Sequence, residues 1–463
     1  MGYFSSGKRL SVRILFYLVL LLTLWRSQTP STFALKAIPN RPIRSYIKKG
    51  DINLGAFLAI TEYSPHSLCG QRIRFPLLQQ FVEALVYAVE KVNADDTLLP
   101  NVTLGYAILD DCVKESTAVA QALRFLPRKP DVYCITPEQC TDSGGGILPN
   151  ITSFLPDTPD DHYDVVGVIG PLKSGNSIAV SYLLGPAKIP QISFLSTSDE
   201  LSNKELHSFF LRVVPPDENQ VQAIMAFIHS QGWSYVSVIY SAGSYGEFAF
   251  DNIKRIAPSL KICIATQHKT NLAMSDEDFL KIVEDLLKYP RARVVIAFVG
   301  GQDIVGVFKA VHQLHAAGRF IWIGSDGWAD RLSLVPAEFH NVLYGAFTTT
   351  VYTRSVPEFN QYFRSIKPSN TSNPWFHEFW ERQFGCSFDA GTCDESRDIS
   401  ESPTFSYLSQ TSSALDSVYT YAHALHKLLQ DECPGVGGDE ARGCVLGEQL
   451  IGYLRNVSFD GEL

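Results

Sequence analysis

The sequence predicts an α/β protein, a clamshell of two mostly parallel sheets, each flanked by helices. Three observations carry that prediction. The chain has 463 residues, 45% of them hydrophobic, which is apolar material for more than one core and about three times the ~150 residues of a common domain. Short apolar runs alternate with stretches of helical spacing, as in parallel strands joined by crossover helices. The alternation occurs in two series joined by several crossings, which fits a clamshell better than separate beads.

The first series starts near Asp51. Ile52 to Ile60 is a strand candidate. Phe81, Ala84, Leu85, Ala88 and Val92 repeat at helical spacing. Val102 to Leu109 reads as a strand and Ser116 to Phe125 as a helix. Val165 to Ile169 is a buried-type apolar run ending in Gly-Pro, followed by helical Ser177 to Leu184. Between them, Thr136 to Pro159 breaks the pattern with consecutive glycines, prolines and acids, and reads as a long exposed loop.

The second series starts near Pro215. It pairs helix Gln220–Gln231 with strand Tyr235–Tyr240, and helix Glu247–Ile256 with strand Ile262–Ala265. Helix Asp276–Leu287 leads to strand Arg293–Val299, and helix Asp303–His315 to strand Phe320–Ile323. Asn341 to Val351 reads as a return crossing. Helices follow near Pro357–Phe363, Phe376–Phe384, Ser412–Leu429 and Gly447–Leu454.

Composition narrows the function. Net charge is -9 and no block of five basic residues occurs, so nucleic acid is not an expected partner. Lys8, Arg9 and Arg13 precede the apolar run Ile14–Trp25. That run is shorter than the roughly 17–25 residues of a membrane span, so residues 1–28 read as a cleaved secretory signal. The rest is then luminal or extracellular. N-x-S/T sequons at Asn101, Asn150, Asn370 and Asn456 agree with that compartment. The chain has nine cysteines, an odd number, which in an oxidising compartment leaves a sulfur for another chain or segment. No C-x-x-C pair occurs, nor any H-E-x-x-H, G-x-S-x-G, Walker A or G-x-G-x-x-G pattern, and an enzyme is not expected. His312 and His315 lie three apart without a third ligand nearby.

The informative stretches are loops after predicted strands, where open α/β sheets bind ligands. Gly170–Ser177 offers hydroxyls and amides at a helix N-terminus, suited to a carboxylate; ordinary N-capping by Ser174 or Ser177 is the competing reading. Leu195-Ser196-Thr197-Ser198 adds hydroxyls. Tyr245, the Gly324–Trp328 loop with Asp326, and Asp217 after the double proline supply acids and a phenol. Together they would bind a zwitterion.

Ordered motifs then carry a resemblance. Val166–Gly170, Leu211-Arg-Val-Val-Pro-Pro-Asp217, Gly232-Trp-Ser-Tyr-Val236, Ser244-Tyr-Gly-Glu247, Ile323-Gly-Ser-Asp-Gly-Trp-Ala-Asp330 and Asn373-Pro-Trp-Phe376 resemble the ligand-binding region of class C G-protein-coupled receptors. Calcium-sensing, metabotropic glutamate and taste receptors are the relatives meant. The resemblance covers about residues 48–463 and implies a bilobed, periplasmic-binding-protein-like Venus flytrap. Lobe 1 would be 50–213 plus 342–463 and lobe 2 would be 214–341. It also implies an L-amino acid or similar small ligand, sensed by cleft closure in a homo- or heterodimer. A G protein would act through a seven-helix domain absent from this chain. A secreted binding protein or decoy without signalling is the alternative. No cofactor is implied, and a calcium site is not assignable.

Residue by residue, the resemblance places the ligand carboxylate at Ser174 and Thr197, with backbone from Leu195 and Ser196. The ammonium falls to Asp217, Tyr245 and Asp326. Phe81 and Gln410 stand where glutamate receptors carry an arginine and a lysine for the distal carboxylate, so neutral side chains are expected; Arg331 matches a family arginine near the pocket. The resemblance pairs Cys69 with Cys112, Cys386 with Cys393 and Cys433 with Cys444. It puts Cys134 and Cys140 in an intersubunit loop and makes Cys263 an interdomain cysteine.

Overall fold

Strand after strand in this chain alternates side chains between two faces that are both apolar, which requires helices on both sides of each sheet. Ile52, Leu54, Ala56 and Leu58 of one strand enter one core, while Phe57 enters the opposite one with Ala107 and Leu109. A computed structural model shows how this is satisfied. It describes residues 44–64, 67–127, 162–271, 273–329 and 335–459. The expected signal 1–28, the loop cysteines Cys134 and Cys140, the sequon at Asn150 and Arg331 lie outside the described residues.

The first sheet contains β1 (Ser45–Lys48), β2 (Ile52–Leu58), β3 (Leu104–Asp110), β4 (Gly167–Ile169), β5 (Gln191–Ser193) and β6 (Phe210–Arg212), in the order β1-β3-β2-β4-β5-β6. Only β1 runs antiparallel, pairing Ser45 with Leu109. Helix α1 (Gln79–Asn93) shares one face with α8 (Pro357–Ser365), α9 (Phe376–Phe384) and the long α10 (Thr411–Glu432). Helices α2 (Glu115–Ala122) and α3 (Ser174–Leu184) cover the other face. The second sheet is parallel throughout, with β7 (Tyr235–Ser241), β8 (Cys263–Thr270), β9 (Val294–Phe298), β10 (Ile321–Gly324) and β11 (Phe347–Thr348) in the order β11-β10-β9-β7-β8. Helices α4 (Asp217–Ser230) and α5 (Ser244–Ile256) cover one face of it. Helices α6 (Asp276–Leu287) and α7 (Gly301–Gln313) cover the other. Helix α11 (Ala441–Cys444) and helix α12 (Gly447–Asn456) close the chain near α10.

The expected elements are present with shifted ends. Three strands of the first sheet went unread: β1, β5 and β6. β5 and β6 are three residues each, too short to show a period, and β1 lies before the first alternating run. Ser174 and Ser177 do not cap α3. The cap position is Lys173 with no side-chain bond, and Ser174 is the first helical residue. The Ser177 hydroxyl instead donates to the Pro171 carbonyl at 3.0 Å.

The cysteines Cys69–Cys112, Cys386–Cys393 and Cys433–Cys444 are bonded, with Cα separations of 5.4, 5.0 and 6.3 Å. Cys263 at the start of β8 is free and exposed. Asn101, Asn370 and Asn456 are all exposed.

Candidate ligand-binding site

Parallel strands deliver their carboxyl ends, and the helix N-termini that follow, to one edge of each sheet. Here both sheets aim those edges at the same cavity of about 430 Å³. Ala59 follows β2, Val113 and Glu115 follow β3, and Leu172 to Gly175 follow β4. Leu195 follows β5. From the second sheet, Ser241 ends β7 and Ala242 to Tyr245 follow it, Asn271 follows β8, Gly300 to Asp303 follow β9, and Asp326 with Gly327 follow β10. A larger hollow of about 600 Å³ lies by β6, α10 and α12. It borders the first sheet alone and receives none of those strand-end loops, so it is not the site.

The acidic wall is built by hydrogen bonds. The Tyr245 hydroxyl donates to Asp326 Oδ1 at 2.5 Å and accepts from the Gly327 amide at 3.2 Å. Tyr245 starts from Gly243, whose φ of +92° suits a residue without a side chain and turns the chain into α5. Burial, then the charge of Asp326, raises the Tyr245 phenol well above its ordinary range, so it is a donor at neutral pH. Gln220 on α4 donates through Nε2 to Asp326 Oδ1 at 3.0 Å and to Asp217 Oδ1 at 3.2 Å. Its Oε1 accepts from the Asp326 amide at 2.7 Å.

Of the residues expected at the site, Ser174, Leu195, Tyr245 and Asp326 line the cavity. Asp217 does not. It is fully buried behind Asp326, with its amide bound to the Thr197 carbonyl at 2.8 Å. Thr197 is buried with it, and that carbonyl also accepts from Arg212 at 3.0 Å. The Ser196 hydroxyl faces inward too, meeting Ser177 Oγ at 2.8 Å and the Pro171 carbonyl at 3.2 Å. These hydroxyls tie the loops after β4 and β5 together.

Phe81 and Gln410 were expected in the distal pocket. Neither borders the cavity. Phe81 is 0% exposed in the core beneath α1, its ring 5.1 Å from that of Phe194. Helical spacing places it on the inward face with Ala84, Leu85 and Ala88. Gln410 is 2% exposed at the cap position of α10. Two cations border the cavity, Arg74, which went unread, and Lys173, whose loop was singled out for its hydroxyls and amides rather than for this charge. Among the described residues no carboxylate lies within ion-pair distance of either. Arg74 donates to Gln302 Oε1 across the cavity at 2.7 Å and stacks on Phe75 at 4.8 Å. Burial lowers its pKa from the ordinary value, and the more distant Asp303 and Asp111 oppose that. Asp303 is itself buried and bound by Thr270 at 2.6 Å. Its carboxyl is raised by burial, with Lys173 and Arg74 partly offsetting this. Arg74 sits in the turn after the Thr61–Ile73 bridge, with no motif around it, and only tertiary folding brings it to the strand ends.

Among the described residues one group of potential metal-ligating atoms gathers, Asp110 with Cys69 and Cys112. Its sulfurs form a disulfide, so it offers no thiolate. His312 packs its ring on Phe339 at 5.3 Å.

The model of the "Receptor family ligand binding region" matches residues 81–462. The chain belongs to that receptor family. Its fold is accordingly periplasmic-binding-protein-like, and its relatives place it with the class C receptors. This receptor region is 34% identical to metabotropic glutamate receptor 8 of Homo sapiens over 426 residues, covering 89% of this chain and 45% of that protein. It is 35% identical to metabotropic glutamate receptor 6 of Oryctolagus cuniculus over 439 residues, 91% of this chain and 49% of that one. It is 34% identical to metabotropic glutamate receptor 4 of Mus musculus over 459 residues, 96% and 48% respectively. The receptor region thus spans about half the length of the curated relatives it matches. Among the described residues no helix is long and apolar enough to cross a membrane.

Proposed function

We propose that this region is the extracellular sensor of a class C receptor and binds an L-α-amino acid with an acidic side chain between its two lobes. The single observation behind the side-chain class is the pair Arg74 and Lys173, which face the cavity without an ion-paired carboxylate. Both cations are half-buried, and the carboxylates that act on them, Asp303 and Asp111, stay beyond ion-pair distance, so an anionic ligand group would find unmatched positive charge there. The ammonium would meet Asp326 and Tyr245. The α-carboxylate would meet the uncapped first turn of α3 at Ser174 and Gly175, where amides and the helix dipole favour an anion. The named ligand of the matched relatives, glutamate, has this charge pattern.

Lobe 1 (50–213 and 342–463) and lobe 2 (214–341) would close on the ligand. Closure needs contacts made in one state and not the other, and the Arg74–Gln302 bond spans the cavity where such a contact would form. In a dimer, closure would be passed to a membrane domain and a G protein at the cell surface.

Titration of the protein with L-glutamate and L-alanine tests the reading. Glutamate should bind more tightly. Arg74→Ala should weaken glutamate at least tenfold, from loss of a charged contact worth roughly 1.5–3 kcal/mol, and leave alanine within a factor of a few. Equal losses for both ligands would remove Arg74 from the side-chain subsite.

A further inference from the structure

Gln220 occupies an unusual position at the acidic wall. One side-chain nitrogen donates to carboxylate oxygens of two different acids, Asp217 Oδ1 at 3.2 Å and Asp326 Oδ1 at 3.0 Å. Its oxygen accepts the Asp326 amide and the Thr349 hydroxyl, each at 2.7 Å. The residue therefore joins α4, the loop after β10 and the return crossing beyond β11. The two acids it holds are not alike. Asp326 borders the cavity and receives the Tyr245 hydroxyl. Asp217 is completely buried, its Oδ1 takes the Gln220 bond, and no cation forms an ion pair with it among the described residues.

From this arrangement we infer that Gln220 holds Asp217 and Asp326 as a carboxylate pair that keeps one proton, on Asp217, until a ligand ammonium arrives, so that amino-acid binding releases a proton. A carboxylate with no exposed surface and no ion-paired cation, sharing one amide donor with a second acid, ionises at a cost that the donated N–H only partly offsets. The groups facing the pair are Asp199 from the helical turn after β5, Arg212 from the end of β6, Tyr245 from α5 and the Thr197 hydroxyl. Burial and the charge of Asp326 push the Asp217 carboxyl up; Thr197 and Arg212 offset part of that, and Asp199 adds to it. An ammonium beside Asp326 supplies the missing positive charge. The Asp217 O–H then ionises, its electron pair stays on the carboxylate, and the proton passes to solvent. Gln220 acts here as a positioning residue. The inference rests on the amino-acid reading above.

Two measurements test it. Calorimetric titration with L-glutamate in buffers of different ionisation heat counts protons released. Wild type should release up to one proton at pH values where Asp217 is still protonated in the free protein, and there affinity should rise with pH by up to tenfold per unit. Asp217→Asn should abolish both effects. Gln220→Leu, which removes the N–H donor from both acids, should leave more of Asp217 protonated and increase the release, an effect a purely structural residue would not produce. The second measurement needs no ligand. A raised folded-state pKa makes ionisation costly on folding, so wild type should lose thermal stability relative to Asp217→Asn as pH rises above the ordinary aspartate value of 3.8. Glutamate binding without proton exchange, together with a flat stability difference, would overturn the inference and leave the amino-acid reading standing. Failure of any amino acid to bind would remove that reading, and the stability arm alone would then decide whether Asp217 holds a proton.

Discussion

Glu83 shows at single-residue scale how burial can override a side chain's ordinary chemistry. It lies on the inward face of α1 among apolar neighbours, accepting from Asn373 Nδ2 at 2.7 Å and from the Tyr362 hydroxyl at 3.2 Å. Burial pushes its carboxyl up to about 7, and those two bonds offset only part of the shift. Because the folded value exceeds the ordinary 4.5, ionising Glu83 costs stability as pH climbs from about 4.5 to 7. Glu83→Gln keeps the bond to Tyr362 and removes the charge. It should gain stability over wild type between pH 5 and 8, by roughly 1–3 kcal/mol, in denaturant melts at each pH. A pH-independent difference would show that Glu83 is ionised throughout. Nothing in the sequence around Glu83 marked it, since a glutamate on a helix is usually solvated.

Among elements, α10 is the strut that holds β4 and β5 in register. Its Tyr421 is completely buried, and its hydroxyl donates to the Pro190 carbonyl at 2.8 Å while the Val168 amide donates to it at 3.1 Å. Gly167 makes room: a Cβ there would lie 2.3 Å from the Tyr421 ring. Tyr421→Phe should cost about 1 kcal/mol by deleting buried hydrogen bonds, while the Val168 amide keeps its 2.9 Å bond to the Pro190 carbonyl. Gly167→Ala should cost more, because neither the strand nor the ring can retreat in a packed core. Chemical denaturation measures both, and a neutral Tyr421→Phe would show the hydroxyl to be dispensable. These short strands also explain why β5 and β6 went unread. Gln191–Ser193 and Phe210–Arg212 hold three residues each, and a strand of that length is defined by its neighbours in the sheet rather than by its own pattern.

On the scale of the whole molecule, six of the nine cysteines close loops within the described residues, and Cys263 is free at an exposed strand end. Cys134 and Cys140 are the proposed link between protomers. Non-reducing electrophoresis of the secreted protein should show a covalent dimer that reductant collapses, and Cys134→Ser with Cys140→Ser should abolish it. A crosslink that survives the double substitution would point to Cys263. Ligand binding should also stabilise the whole region, by about 2.7 kcal/mol at a hundredfold excess over Kd, read as a rise in Tm with L-glutamate.

The sequence by itself determined the α/β class, the alternation that makes two sheets, and the loops bearing Ser174, Tyr245 and Asp326, because these depend on local periodicity and on the rule that parallel strands present ligands at their carboxyl ends. Its ordered motifs were enough to place the chain in its receptor family. Tertiary structure alone decided which side chains face the cavity. Phe81 and Gln410, chosen by matching positions in the chain, turned into the first core, whereas Arg74, in no motif, came to the wall beside Lys173 of the Gly170–Ser177 loop. It also placed Asp217 behind Asp326 rather than beside it. The physical reason is that a helical or loop residue's direction depends on the element packed against it, and that packing is set by residues hundreds of positions away.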